Sequence, residues 1–212
     1  MTAASVFLLA AAAAAAVGTI AADTAGRFSL ARILRPAAMA SIIALAAVLP
    51  ASTPPAYRLF ILAGLSVSLV GDFFMMAEKK KFTAGVIAFL AAQFFYVAAF
   101  LQTRPASFDF MTALPFLVYA FFMMGVLYPR LGSKKAPITL YIGVMTVMAI
   151  LAAQRYISMG GKSAFYALIG AGLFVASDTI LALDRYSRKI PAAQIFILGT
   201  YFPAQIFFAL SV

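Results

Sequence analysis

The segment that decides the fold of this chain reads Leu69-Val70-Gly71-Asp72-Phe73-Phe74-Met75-Met76-Ala77-Glu78-Lys79-Lys80-Lys81. It closes an apolar stretch that begins near residue 57 and is long enough to cross a membrane as a helix, because a crossing needs about 20 residues. One carboxylate, Asp72, lies inside the stretch, and three lysines follow it. The segment therefore predicts a transmembrane helix with an ionisable group inside the bilayer and a basic turn at its end.

The rest of the chain has the same character. Of its 212 residues, 65% are hydrophobic and 10% are charged, and the mean hydropathy is +1.03, which is far outside the range of soluble domains. The apolar runs are continuous, whereas a transmembrane β-barrel would alternate apolar and polar residues. We therefore predict an all-α, polytopic membrane bundle of about eight transmembrane helices, with residues 1–212 forming a single transmembrane domain.

Prolines and charges separate the apolar runs from one another. No Lys or Arg precedes the first run, so we interpret it as a retained helix rather than a signal peptide. The second run is the shortest, because Pro36 is placed at its start, where a missing N–H costs little. The predicted spans cover residues 3–22, 36–50, 57–77, 82–102, 109–127, 136–157, 162–183 and 190–211.

The basic residues indicate how the bundle is oriented. A formal charge of +10 is compatible with nucleic acid binding, but the basic residues lie between apolar runs, so we predict the lipid bilayer and no nucleic acid as partner. If the spans alternate, 12 of the 16 basic residues share one side. The positive-inside rule makes that side cytoplasmic and places both termini outside, as in a multi-pass protein of a bacterial inner membrane. The twelve are Arg27, Arg32, Arg35, Lys79, Lys80, Lys81, Arg130, Lys134, Lys135, Arg185, Arg188 and Lys189.

Cysteine and histidine do not occur in the sequence. Their absence excludes disulfides, thiolate catalysis, Ser-His and Cys-His catalytic units, and metal sites built from either residue. Six acidic side chains remain as candidates for chemistry. We expect no metal and no organic cofactor to be required, although paired carboxylates can bind a hard cation such as Mg²⁺.

A short pattern occurs twice, near the ends of the third and the seventh span. Asp72 follows a small residue and precedes Glu78 and a basic turn, and Asp178 follows Ser177 and precedes Asp184 and another basic turn. Four spans separate the two units, which therefore share one orientation. A parallel duplication of four plus four helices would explain the repetition, and coincidence is the alternative.

Asp72 and Asp178 are the candidates for catalysis. We predict both to lie five or six residues inside the basic end of their helices, at a common depth of roughly 8 Å. An ionisable group there costs several kcal/mol unless it faces a polar cavity or a partner. If both face one cavity, their repulsion favours one protonated acid beside one carboxylate, which suits a reaction with a positively charged transition state. The alternative is that they only fix helix packing through hydrogen bonds.

The remaining polar side chains have less specific interpretations. Asp109 is predicted to cap a helix N-terminus, Asp23 to lie in a solvated loop, and Glu78 and Asp184 to be solvated or paired with Lys80 or Arg188. Five further side chains within apolar runs are candidates for lining a head-group cavity, with interhelical hydrogen bonding as the alternative. They are Gln93, Tyr96, Tyr141, Tyr201 and Gln205.

The two aspartate segments resemble the motifs of the YhhN family of membrane proteins, the lysoplasmalogenases. The resemblance rests on Leu69-Val70-Gly71-Asp72, Phe89-Leu90-Ala91-Ala92-Gln93-Phe94-Phe95-Tyr96, Phe174-Val175-Ala176-Ser177-Asp178 and Tyr201-Phe202-Pro203-Ala204-Gln205. It implies hydrolysis of the vinyl ether bond of a lysoplasmalogen, a lysophospholipid, to a fatty aldehyde and glycerophosphoethanolamine or glycerophosphocholine. In that reaction one aspartate would protonate the alkenyl carbon and the other would stabilise the resulting cation or direct water to it.

Three functions remain open at this point. The first is the membrane hydrolase, with the lipid head group expected at Lys79–Lys81 or Arg185–Lys189. The second is a proton-coupled lipid or small-molecule transporter in which the same aspartates bind protons between two related halves. The third is a structural membrane subunit, in which neither aspartate would matter for activity.

Overall fold

The computed structural model describes residues 2–50, 52–76, 82–103 and 108–212. Within these ranges it contains eight α-helices, each long and apolar enough to span a membrane, and no strand. Two single 3₁₀ turns, Tyr128–Arg130 and Gly132–Lys134, connect the fifth helix to the sixth. The prediction of an all-α bundle of eight spans is confirmed. The helices are α1 (Ala3–Thr24), α2 (Phe28–Val48), α3 (Pro55–Met76), α4 (Phe82–Leu101), α5 (Phe110–Leu127), α6 (Lys135–Met159), α7 (Gly161–Tyr186) and α8 (Ala193–Leu210).

The second helix differs from its predicted span. It begins at Phe28 and contains Pro36 in its interior, so the proline interrupts one backbone hydrogen bond without ending the helix. Arg32 and Arg35, which were predicted to lie in a connection, belong to α2. Arg35 is buried, with 6% of its surface exposed.

Sequential helices pack as hairpins, and small residues let them approach closely. The packed pairs include α1 with α2, α3 with α4, and α7 with α8. A Cβ at Gly64 of α3 would overlap the ring of Tyr96 on α4, and a Cβ at Gly170 of α7 would lie 2.8 Å from the ring of Phe208 on α8. Tyr96 and Phe208 in turn pack on each other with ring centroids 4.3 Å apart. The α3–α4 and α7–α8 hairpins therefore contact each other through aromatic rings that pack on glycines.

The helix ends form two chemically distinct faces. At one face, which we call the basic end, the odd-numbered helices end and the even-numbered helices begin. Side chains across this end contact each other: Arg185 lies over the ring of Phe82, and Lys134 over the ring of Tyr186. The basic cluster Lys79–Lys81, together with Glu78, lies outside the described residues.

The opposite end is fixed by hydrogen bonds from side chains. Arg155 of α6, buried at 2% exposure, donates to the hydroxyl of Tyr57 at 3.2 Å and to the carbonyl of Ser163 at 3.1 Å. Tyr57 is also bonded to Ser211 at 2.8 Å. Arg155 therefore joins α3, α6 and α7 from within the bundle.

Asp109 caps α5 as predicted. Its carboxylate accepts hydrogen bonds from the backbone N–H groups of Met111 at 3.0 Å and Thr112 at 3.2 Å, and also from the Thr112 hydroxyl. Its backbone is extended, as an N-cap residue requires. The hydrogen bond from the Thr112 hydroxyl, followed by that from the Met111 N–H, holds the pKa of Asp109 below its usual range.

Candidate active site

Asp72 lies on α3, four residues before Met76, and is buried at 2% exposure. Its Oδ2 accepts a hydrogen bond of 2.7 Å from the hydroxyl of Tyr201 on α8. Tyr201 is itself fixed by edge-on contact with Phe89, the ring centroids lying 5.7 Å apart. The carboxyl group is therefore oriented by a partner from the other aspartate's hairpin.

Asp178 lies on α7, eight residues before Tyr186, where the helix ends. It is therefore further from its helix end than the five or six residues predicted. Its Oδ2 accepts two hydrogen bonds, one of 2.6 Å from the hydroxyl of Tyr141 on α6 and one of 3.1 Å from the amide of Gln93 on α4. Two elements thus orient this carboxyl group.

Both aspartates line one polar cavity of about 200 Å³. This volume is sufficient for several water molecules. Its polar lining also includes Arg35 of α2, Ser177, Gln194 and Tyr201. We call it the aspartate cavity. Both aspartates therefore border a single space.

An apolar cleft adjoins the aspartate cavity. Asp178, Met75, Phe82, Phe89 and Leu181 line both spaces. The cleft then continues between α5 and α6 along side chains such as Met123, Ile142 and Met145. Asp178 is thus at the junction of a polar space and an apolar one.

The five polar candidates have different positions. Tyr201 lines the aspartate cavity and Tyr141 lines the apolar cleft, while Gln93 donates a hydrogen bond to Asp178. Tyr96 donates to the amide oxygen of Gln205 at 2.6 Å, and both are fully buried. Among the described residues that line the cavity and the cleft, Gln93, Tyr96 and Gln205 do not occur.

Two acidic residues of the basic end have roles outside the cavity. Asp184 forms a salt bridge of 2.9 Å with Lys189 and accepts a hydrogen bond from the backbone N–H of Ile190 at 2.9 Å, so its partner is Lys189 rather than Arg188. Asp23 lies in α1, one residue before its end, and lines a second polar space near Arg32 and Arg35.

Arg35 and Gln194 line the aspartate cavity but were not predicted from the sequence. The reason is clear for Arg35. It was assigned to a connection because Pro36 was placed at the start of a helix. The signal was present in the spacing, since Arg32 and Arg35 are three residues apart and therefore share a helix face. Within the described residues, no group of three or more acidic side chains is placed to hold a metal ion.

Comparison with known proteins gives the evolutionary context of this site. The model of the YhhN family matches residues 30–212. The uncharacterized membrane protein YhhN of Escherichia coli O157:H7 is 27% identical over 142 residues, which cover 67% of this chain and 68% of the relative. No solved structure matches significantly.

Mammalian relatives carry a functional name. Bovine lysoplasmalogenase TMEM86A is 31% identical over 166 residues, covering 74% of this chain and 66% of the relative. Porcine lysoplasmalogenase TMEM86B is 30% identical over 160 residues, covering 74% of this chain and 64% of the relative. The family match includes both aspartate segments and all helices from α3 to α8. This chain belongs to the YhhN family.

Proposed function

We propose that this protein is a membrane hydrolase that cleaves the vinyl ether bond of lysoplasmalogens. The observation that supports this most is that Asp72 and Asp178 line one polar cavity, which joins an apolar cleft at Asp178. A single-chain ether lipid has the same division, because a polar glycerol head is followed by a vinyl ether and then by an alkyl chain. Relatives named lysoplasmalogenase, about 30% identical, support the same substrate class.

The reaction follows from the chemistry of the bond. A protonated aspartate delivers H⁺ to the β-carbon of the vinyl ether, and the double bond becomes an oxocarbenium ion at the carbon attached to oxygen. The second aspartate, as a carboxylate, stabilises this cation or directs a water molecule onto it. Addition of water releases a proton and gives a hemiacetal, which collapses to a fatty aldehyde and the free hydroxyl of the glycerophospho head group.

The tyrosine and glutamine partners fix the geometry that this reaction needs. Tyr201 holds Asp72, while Tyr141 and Gln93 hold Asp178. Each of these bonds uses only one oxygen of its carboxyl group, Oδ2 in both aspartates. The other oxygen, Oδ1, is then available for the substrate or for water.

The test is aldehyde release by the purified protein in detergent. We expect aldehyde from an alkenyl lysophospholipid and no release of fatty acid from the corresponding acyl lysophospholipid, whose ester hydrolysis needs oxyanion donors instead. Asp178→Asn serves as the inactive variant. Asp109→Asn, which removes an acidic group but preserves a capping side chain at the opposite end, should retain full activity. Aldehyde no greater than in Asp178→Asn would exclude the hydrolase.

Orientation in the membrane is part of the proposal. The concentration of basic residues at the basic end favours placing it in the cytoplasm, with both chain termini outside and the substrate entering from the cytoplasmic leaflet of a bacterial inner membrane. A reporter that is active only outside the cytoplasm, fused after Val212, should be active. An inactive reporter together with an active cytoplasmic one would reverse this orientation.

The competing function is proton-coupled transport. The observation that favours it is that the α3–α4 and α7–α8 hairpins form hydrogen bonds to each other through the two aspartates. Two related halves that move against each other are typical of transporters. Uptake of a labelled lysolipid or small molecule into proteoliposomes that depends on a pH gradient and is abolished by Asp72→Asn, without aldehyde release, would favour the transporter over the hydrolase.

A further inference from the structure

Among the described residues, the buried arginine of α2 forms no hydrogen bond and no salt bridge. Arg35 is 6% exposed, and its Nε has no hydrogen-bond partner among the described residues. The ion pair found in the described part of the chain joins Lys189 to Asp184 and does not involve Arg35. Asp72 lines the same cavity as Arg35 but lies beyond salt-bridge distance of it. Because a buried charge that is not directly paired is costly, we expect the guanidinium to bind an anion that enters from outside.

Two polar cavities meet at this arginine. One is the aspartate cavity, and the other, which we call the outer cavity, also has a volume of about 200 Å³. Arg35 and Gln194 line both. Arg32 and Asp23 line the outer cavity as well. The outer cavity therefore combines two positive charges, a carboxylate and an amide at the basic end of the bundle.

We propose that Arg35 binds the phosphate of a zwitterionic lysophospholipid, and that the outer cavity holds its amine-bearing head group. A guanidinium donates two parallel hydrogen bonds to a phosphate, which a single ammonium cannot do. Arg32 adds a second positive charge, and the carboxylate of Asp23 attracts the ammonium group. This inference rests on the proposed function, because it assigns the head-group end of the same substrate.

The order of the side chains along the connected spaces agrees with the order of groups in such a lipid. Asp23 lines the outer cavity only, Arg35 lines the outer and the aspartate cavity, and Asp178 lines the aspartate cavity and the apolar cleft. In the lipid, the ammonium is followed by the phosphate, then by the glycerol and its vinyl ether, and then by the alkyl chain. Phosphate at Arg35 thus places the vinyl ether at the aspartates and the alkyl chain in the cleft.

This assignment differs from the head-group position expected from the sequence. Of the basic residues named there, Lys189 is paired with Asp184 and Arg185 lies over Phe82. The cluster Lys79–Lys81 lies outside the described residues. Arg35, by contrast, is both buried and connected to the aspartates through a cavity.

The experiment measures binding of three saturated ether lipids that contain no vinyl ether and cannot be hydrolysed. They share one alkylglycerol and carry phosphoethanolamine, phosphate alone or a free hydroxyl. Radiolabelled forms are bound to the purified protein in nanodiscs. We expect Arg35→Met to weaken binding of both phosphate-bearing lipids at least tenfold and to leave alkylglycerol binding unchanged. Asp23→Asn should weaken only the phosphoethanolamine lipid, about threefold.

Two further variants control for charge and folding. Arg27→Met removes an exposed arginine from the N-cap of the same helix, and that side chain makes no capping hydrogen bond, so all three lipids should bind as they do to the parent protein. Arg35→Lys keeps the charge but loses the two-point contact, so phosphate binding should weaken while alkylglycerol binding stays unchanged. This second variant decides the question if Arg35→Met does not fold.

The results separate this inference from the proposed function. Equal losses for all three lipids in Arg35→Met and Arg35→Lys, or no loss for the phosphate-bearing pair, would overturn the phosphate assignment. Because the probes are not substrates, binding that depends on Arg35 supports the assignment even if no aldehyde is ever released. Aldehyde release with phosphate binding that does not depend on Arg35 would overturn this inference alone.

Discussion

The α3–α4 and α7–α8 hairpins have the same plan and different surroundings. Each has an aspartate on its first helix, and each has a glycine eight residues earlier, Gly64 or Gly170, on which an aromatic ring of the second helix packs. Each aspartate is bonded across the interface, Asp72 by Tyr201 of α8 and Asp178 by Gln93 of α4. This reciprocal arrangement fits the proposed duplication of four plus four helices.

The difference between the hairpins lies in what packs beside each aspartate. Both aspartates line the cavity that contains Arg35 of α2, but of the two only Asp178 also lines the apolar cleft, where Tyr141 of α6 donates to it. The two aspartate segments have similar local sequences but different surroundings. The result is one site with a charged side and an apolar side, which would suit the proposed amphiphilic substrate.

The largest expected effect concerns the two aspartates as a pair. Asp72→Asn and Asp178→Asn each preserve side-chain shape but remove a group that can be ionised, and we expect each to lower kcat for aldehyde release about 10³-fold, the range of general acid–base catalysis. Since groups that act as one unit are not additive, the double variant should be no slower than the slower single variant. Losses that multiply would mean that the aspartates act independently.

A smaller effect should distinguish how the two aspartates are held. Within the described residues, Tyr201 supplies the one hydrogen bond to Asp72, whereas Asp178 retains Gln93 if Tyr141 is lost. We expect Tyr201→Phe to lower kcat about tenfold, near the lower end of the roughly 1.5–3 kcal/mol that a hydrogen bond to a charged group contributes. Tyr141→Phe should lower kcat only about threefold, because the bond from Gln93 to Asp178 remains. Steady-state kinetics of both variants provide the measurement.

The pH dependence of kcat separates positioning from loss of structure. A tyrosine that contacts an aspartate should change the pH profile when it is replaced, because it alters the balance between the two protonation states. Tyr166→Phe, on α7 but packed against Phe207, should leave both kcat and its pH profile unchanged. Equal effects of Tyr201→Phe and Tyr141→Phe would contradict the difference between the hairpins.

The sequence was sufficient to predict the helices but not which side chains lie next to each other in the bundle. Continuous apolar runs were enough to find eight spans, and Asp109 was identified as a cap because its position relative to the run determines the local hydrogen bonds. The end of α7 was missed, because hydropathy falls where charges begin, while the helix continues to Tyr186. Arg35 was missed for a related reason, since a proline that marks a helix start in water is tolerated inside a membrane helix.

Contacts between distant segments have no counterpart in local periodicity. The pairing of Tyr96 with Gln205 spans 109 positions, and that of Tyr201 with Asp72 spans 129. Each residue was recognised as a polar group in an apolar run, but its partner depends on how the hairpins dock. That docking depends in turn on Gly64 and Gly170, which leave room for aromatic rings of the neighbouring helices.

Replacing the two glycines tests whether the hairpins share a packing design. A methyl group at Gly64 would overlap the Tyr96 ring, and one at Gly170 would meet both the Phe208 ring and the Ala204 carbonyl, 3.1 Å away. We expect Gly64→Ala and Gly170→Ala each to destabilise the protein by about 1–3 kcal/mol through overpacking. Gly172→Ala, on α7 with no atom near the new methyl group, should be neutral or slightly stabilising, because alanine favours helix. Melting temperatures in detergent measure all three, and a stabilising Gly64→Ala beside a destabilising Gly170→Ala would mean that the two hairpins are packed by different rules.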